Sequence, residues 1–340
     1  NIVDIDSTVF NTFSVSIIIS EDKRFCCFSK NNATSCTAHL SQLSSCSNLL
    51  ANNLVRIFIW LIGSLSLGLN TTAILVHFCK KTRLTAYQIM IITQSFSDAL
   101  LGLYLISIAC VDIYYYNYFV GKDLVWKSNM LCIILGFLSQ FSLLLSAFIL
   151  DAITIFRFLV VAYPFNPKFK SASFTKKVSV IFAFILFMIE SAIVVGYLAI
   201  EKKYAAPNTL CLMAETGTTS WSLYSQNILT LLALMCSLIV VLTIFPLMIN
   251  AIKKAKCQIQ SSKTKHSSKY VTSLLLVGVT NLACWIPCVV LYIMLLSGYT
   301  VPNFSLTFIV VFAMPINSSL NPCFFTFSTL KCSSLKKVSQ

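Results

Sequence analysis

The stretch Cys132–Pro164, CIILGFLSQFSLLLSAFILDAITIFRFLVVAYP, decides how the chain is read. It is apolar almost throughout, opens on a cysteine, and runs 25 residues before it reaches its one arginine, Arg157. At ~1.5 Å of rise per residue, a helix over that spacing puts Cys132 and Arg157 about 37 Å apart, one at each face of a bilayer. A cysteine outside and an arginine inside fix a direction. The positive-inside rule alone would place an arginine at a cytoplasmic helix end, so the surroundings must decide whether Arg157 does more.

The rest of the chain repeats the pattern. Of its 340 residues, 57% are hydrophobic and 11% charged, and the mean hydropathy is +0.82. A soluble domain could not solvate such a surface, so this is a multispanning membrane protein. Apolar stretches fall at about 54–79, 86–113, 129–162, 177–200, 222–252, 269–297 and 303–328. Each can cross ~30 Å of hydrocarbon, which predicts an all-α seven-transmembrane helix bundle. A net charge of +14 would point to nucleic acid in a soluble protein, but its placement here argues otherwise. With the N-terminus outside, 17 of the 25 basic residues fall on the cytoplasmic side and none of the 11 acids does. The rule therefore predicts an extracellular N-terminus and a cytoplasmic C-terminus. The basic inner face suits both the anionic lipid bilayer and an acidic cytosolic partner. No metal-ligand set, nucleophile–base pair or phosphate loop is recognisable, so an enzyme is not expected.

Cys132, the run SLLLSAFILDAITIFRF and the VAYP after it resemble the third helix of a rhodopsin-like (class A) G-protein-coupled receptor. The likeness is closest to receptors with leucine-rich-repeat ectodomains, particularly the relaxin-receptor branch. Thr280–Pro287, TNLACWIP, is similar to that family's Cys-Trp-x-Pro switch. Asn321-Pro322 stands where the family has Asn-Pro-x-x-Tyr, and Pro315-Ile316-Asn317-Ser318 again points to leucine-rich-repeat receptors. Asn70, Asp98, Cys132, Arg157, Trp285, Pro287, Asn321 and Pro322 occur in the family's order, and the resemblance covers residues 21 to about 335.

The resemblance implies a plasma-membrane hormone receptor. Its ligand would be a peptide or protein hormone, relaxin-like or glycoprotein-hormone-like, caught by an upstream ectodomain. Its cytosolic partners would be a heterotrimeric G protein, met by Arg157, and arrestin. A disulfide between Cys132 and Cys211 is implied, as is a switch formed by Asn281, Trp285 and Pro287. The family's intramembrane aspartate corresponds to Asp98, with Ser146, Asn317 and Ser318 around it and Asn70 and Asn321 nearby. In the family this set holds a structural sodium ion; a hydrogen-bonded cluster without an ion is the other reading, and no further cofactor is expected. Such a buried carboxylate costs at least about 2.5–3.5 kcal/mol on insertion scales, so it needs partners.

Several positions depart from the family. Phe156 replaces the acid that precedes the arginine, Phe325 replaces the tyrosine of the seventh helix, and Pro246 stands where the fifth helix usually has its activation tyrosine. Asn281 replaces an aspartate, Glu190 replaces the fourth helix's tryptophan, and Asp151 is an unexpected acid with no evident partner. An acid beside the arginine would hold it by a bond of about 1.5–3 kcal/mol, so its loss predicts high basal activity. Pro246 is expected to free the carbonyl of Leu242 and kink the helix. Because Phe156, Pro246 and Phe325 all lie on the signalling side, a receptor-shaped protein that binds ligand or arrestin without activating a G protein is the alternative. A transporter would show an internal repeat and paired broken helices, and neither is found.

Outside the bundle, residues 1–24 read as the end of a leucine-rich repeat or as an irregular extracellular segment. One repeat cannot bury its own apolar face and the chain opens on Asn1, so the native product is expected to extend further. Residues 25–53 resemble the cysteine-rich hinge of such receptors, with Cys26, Cys27, Cys36 and Cys46 in two disulfides of open connectivity. Asn32 and Asn303 begin glycosylation sequons on the expected outer side. The seven-helix domain spans 54–328. The tail 329–340 is amphipathic, with Cys332 either palmitoylated or a spare thiol.

Overall fold

The computed structural model describes residues 15–20, 27, 33–38, 47–50, 52–79, 84–163, 172–196, 198, 208–212, 221–258, 264–299 and 309–327. Two short strands, β1 (Val15–Ser20) and β2 (Ala33–Ala38), pair in parallel with Val15 opposite Ala33. Stacked repeats use the same parallel pairing, but the offset of 18 residues is shorter than the ~20–29 of a leucine-rich repeat.

The helices follow the apolar stretches. They are α1 (Asn53–Phe78), α2 (Ala86–Tyr114), α3 (Met130–Ala162), α4 (Ala172–Val195), α5 (Trp221–Gln258), α6 (Thr264–Leu296) and α7 (Met314–Pro322). Among the described residues, α1 to α5 are long and apolar enough to cross a membrane, and α6 contains the apolar run Gly278–Met294. Polar caps set several starts. Asn52 accepts the N–H of Leu54 and Asn129 that of Leu131, while Thr85 and Gln88 form a reciprocal capping box. Pro315 and Pro322 each remove a ladder donor from α7, and the backbone on either side, Ile309–Ala313 and Cys323–Phe327, widens into π turns.

Two expectations need correction. α4 begins at Ala172, before the predicted 177, and the lysine-rich ends of α5 and α6 stay helical out to Gln258 and back to Thr264. Lysine is among the better helix formers, so charge alone does not end a helix. Pro246 lies inside α5, which is one element from Trp221 to Gln258. Membrane helices tolerate an internal proline because neighbouring groups re-satisfy the freed carbonyl.

α3 is the central element. The most apolar part of its span is 78% buried, against 17% in α4 and 22% in α5, whose outer faces are left to lipid. It packs on α2, α4 and α5, while α7 packs on α1, α2 and α6. Its two ends define the bundle's ends: a disulfide end at Cys132, bonded to Cys211 as the resemblance implied, and an arginine end at Arg157.

The tightest backbone approach is between α1 and α2. A Cβ added at Gly102 would lie 2.6 Å from the amide nitrogen and 3.0 Å from the Cα of Leu67, both immovable backbone atoms. Without a hydrophobic force between helices in lipid, such small-residue contacts carry much of the association. Gly102→Val is therefore expected to destabilise the bundle by at least about 1–3 kcal/mol. Thermal melting of the purified protein checks this, with Gly68→Ala, where nothing lies within 4 Å, as the near-neutral control.

Candidate functional site

At the disulfide end, the segment Ser47–Leu50 is docked onto the bundle. Leu49 and Leu50 are buried against Phe119 and Trp126. The N–H of Leu50 donates to Asp112 Oδ1 at 2.8 Å, and Arg56 Nε donates to Asp112 Oδ2 at 2.6 Å. Arg56 Nη2 also reaches the carbonyl of Leu50 at 3.3 Å, closing a triangle between the segment, α1 and α2. The N–H of Phe119 donates to the carbonyl of Ser47 at 3.2 Å. Residues 208–212 cover the same end, where Tyr104 Oη and Trp126 Nε1 donate to the carbonyls of Leu210 and Thr209, each at 2.8 Å. Cys211 holds a positive φ of 62° there, a backbone state L residues rarely adopt, fixed by its bond to Cys132. Of the other expected features on this side, Cys27 is disulfide-bonded and Cys36 lies on β2. Cys26, Asn32, Cys46, Asn303 and Cys332 lie outside the described residues.

The middle of the bundle is polar. Asp98 is fully buried and accepts four hydrogen bonds. Its Oδ1 takes the hydroxyls of Ser146 and Ser318, each at 2.9 Å. Its Oδ2 takes Asn321 Nδ2 at 2.8 Å and Gln94 Nε2 at 3.0 Å. Asn70 joins from α1 by donating to the carbonyl of Ser318 at 3.0 Å, and Ser66 donates to the backbone carbonyl of Asp98 at 2.9 Å. Asn317 is buried close by but is not among the carboxylate's donors. An ionised carboxylate offers about four acceptor positions, and the chain's own donors fill all four. The sodium ion expected between Asp98 and Ser146 does not fit this arrangement, because the amide N–H2 of Gln94 bridges those two residues, 2.6 Å from Ser146 Oγ.

The two unassigned acids have partners on α5. Ser237 Oγ donates to Asp151 at 2.8 Å, and Gln226 Nε2 donates to Glu190 at 3.2 Å. From Gln226 the network continues through Thr230, whose hydroxyl donates to the carbonyl of Gln226 at 2.9 Å and accepts from Gln140 on α3. These bonds tie α3, α4 and α5 together.

At the arginine end, Phe156 cannot accept a hydrogen bond, and the hydroxyl of Tyr87 on α2 takes that part instead: Arg157 Nη2 donates to it. The guanidinium also lies 4.9 Å from the ring centre of Tyr87 and 5.0 Å from that of Phe325, so it sits between two aromatic faces. Phe156 stacks parallel to Tyr87 at 6.4 Å and orients it. A narrow cleft opens beside the arginine, lined by Val241, Phe245, Gly278, Asn281 and Phe325 among others. Phe245 packs so near Gly278 that an added Cβ there would meet its ring at 2.6 Å. Asn281, on the cleft wall, and Trp285, about one turn further along α6, are both buried, with Pro287 inside the same helix.

This constellation, a central carboxylate bridging α2, α3 and α7 with an arginine at the end of α3 and prolines inside α6 and α7, defines a seven-helix membrane receptor. The chain belongs to the 7 transmembrane receptor (rhodopsin family), whose model matches residues 69–325. It is 27% identical over 315 residues to the G-protein coupled receptor GRL101 of Lymnaea stagnalis, covering 91% of this chain and 28% of that protein. It is 26% identical to relaxin receptor 2 of Canis lupus familiaris over 93% of this chain and 43% of that one. With the follicle-stimulating hormone receptor of Mus musculus the identity is 24%, over 86% of this chain and 41% of that one. The chain thus spans less than half the length of these relatives. Its kin are hormone receptors of the relaxin and follicle-stimulating-hormone type, which places it among multi-pass plasma-membrane proteins.

Four of the residues described here escape a reading of sequence alone: Arg56, Tyr87, Gln94 and Asp112. The available signal was position, since Gln94 lies one turn before Asp98 on the same helix face. Removing Asp112 takes both anchors from Leu50 and Arg56. Asp112→Ala is expected to cost about 1.5–3 kcal/mol, read as a lower melting temperature together with faster protease cleavage near Ser47.

Proposed function

We propose that this chain is the transmembrane part of a receptor that carries a peptide or protein hormone signal from an upstream ectodomain to a heterotrimeric G protein, with arrestin as a second cytosolic partner. Residues 25–53 act as the hinge and the Arg157 end faces the cytosol. The orientation is supported by the placement of the lysines, and the ligand class by the relaxin and follicle-stimulating hormone receptors among the relatives. The observation that carries the reading is Arg157, held by the Tyr87 hydroxyl and by two rings beside the cleft where Phe245 of α5 packs on Gly278 of α6. That is a resting state with its lock replaced rather than lost. Opening requires α6 to swing from α5 about Pro287, which interrupts the α6 ladder, and releases Arg157 toward the cytosol.

One observation favours a receptor that binds without activating a G protein. Phe325 spends its ring on the arginine and has no hydroxyl with which to hold an open state. Second-messenger assays at equal surface expression separate the two. Tyr87→Phe keeps the ring and removes only the acceptor of a charge-assisted bond, so the active-to-resting ratio should rise by roughly 10- to 150-fold. No basal signal in the parent and none in the variant, with arrestin still recruited, would leave the non-activating reading in possession.

A further inference from the structure

We propose that Gln94 takes the place of a bound cation in this receptor: its side-chain amide, rather than sodium, bridges Asp98 and Ser146, and the central cluster is independent of sodium. Gln94 Nε2 lies 3.0 Å from Asp98 Oδ2 and 2.6 Å from Ser146 Oγ, the two groups between which an ion would have to sit. The side chain is 1% exposed, and it reaches the carboxylate because residues four apart share a helix face. Its two N–H dipoles present positive charge to both oxygens, as a cation would, without the cost of stripping water from an ion.

The amide's orientation decides the matter. With nitrogen inward, both contacts are hydrogen bonds to acceptors and Asp98 is saturated. With oxygen inward, Oε1 would face Asp98 Oδ2 acceptor to acceptor at the same 3.0 Å, which is favourable only if a cation lies between them. Gln94 Oε1 is buried and has no partner in the nitrogen-inward arrangement. That cost is tolerable against the amide–carboxylate repulsion avoided: an unpaired amide oxygen is neutral, whereas an unpaired Asp98 oxygen is not. Gln94 is thus a positioning residue that fixes α2 to α3 through Asp98 and Ser146, and it removes a regulatory ion from the receptor's resting state.

Melting of the purified full chain in sodium chloride and in equimolar choline chloride tests this. The parent should melt at the same temperature in both salts. Gln94→Leu keeps the side chain's length to Cδ and deletes the bridging amide; it should melt lower in choline and regain about 2–4 °C in sodium at tenfold excess over its Kd. That gain should vanish in the Gln94→Leu, Asp98→Asn double variant. A sodium-dependent rise in the parent that Asp98→Asn abolishes would overturn the proposal, as would a Gln94→Leu variant that sodium fails to rescue. Should Gln94→Leu not fold, sodium-23 line widths in the presence of the parent decide: no broadening that depends on Asp98 supports the amide bridge, and such broadening refutes it.

Discussion

A carboxylate in the middle of a bilayer is the constraint on which this bundle turns. Asp98 is fully buried, and its four acceptor positions are met by protein. The donors come from α2, α3 and α7, and Asn70 brings in α1 through the carbonyl of Ser318. Displacing any one of those helices leaves a charged acceptor unpaired in a medium of low dielectric, which costs more than the same loss would in water. The apolar packing around Trp285, Leu145 and Ile149 fills the space, but helices sliding in lipid exchange one apolar contact for another. Direction and register are set by the polar centre.

The arginine end follows a different logic. An ion pair inside the membrane boundary would offer a strong lock, at the expense of desolvating two charges. Here one charge is kept and its partner is a phenol, backed by the faces of Tyr87 and Phe325. Cation–π contacts and a neutral acceptor give shallower wells than a carboxylate. Arg157 is held, though more loosely than by an acid. Phe156, read in sequence as a missing acid, has a positive use: its ring keeps Tyr87 in place.

The helices were legible because crossing ~30 Å of hydrocarbon demands long apolar runs, and the disulfide because resemblance carried it. Ser146 and Ser318 were legible through the same resemblance, as positions that line up with the family's aspartate pocket. What escaped was pairing. Asp151 and Glu190 looked unpartnered because their partners, Ser237 and Gln226, sit on α5 some 36 to 86 residues away and are ordinary polar residues when read singly. Asn317 illustrates the converse, since it lies next to Ser318 in sequence yet is not among the donors to the carboxylate. Successive helical residues point about 100° apart, so neighbours in a motif need not share a site.

Three of the polar assemblies have one element in common. α2 carries Asp112 under the docked segment, Asp98 at the centre and Tyr87 at the arginine, spaced by 14 and 11 residues. At ~1.5 Å per residue these lie about 21 and 16 Å apart along one continuous helix. A hydrogen-bonded helix is stiff along its axis, so a shift imposed at Asp112 cannot be absorbed before it reaches Asp98. Gly102, between them, presses α2 onto the backbone of α1 and leaves little freedom to slide. Movement of Ser47–Leu50 would therefore be felt as rotation or bending of α2 rather than translation, and rotation turns Tyr87 relative to Arg157. The length of the helix and the location of its three polar residues are enough to couple the two ends.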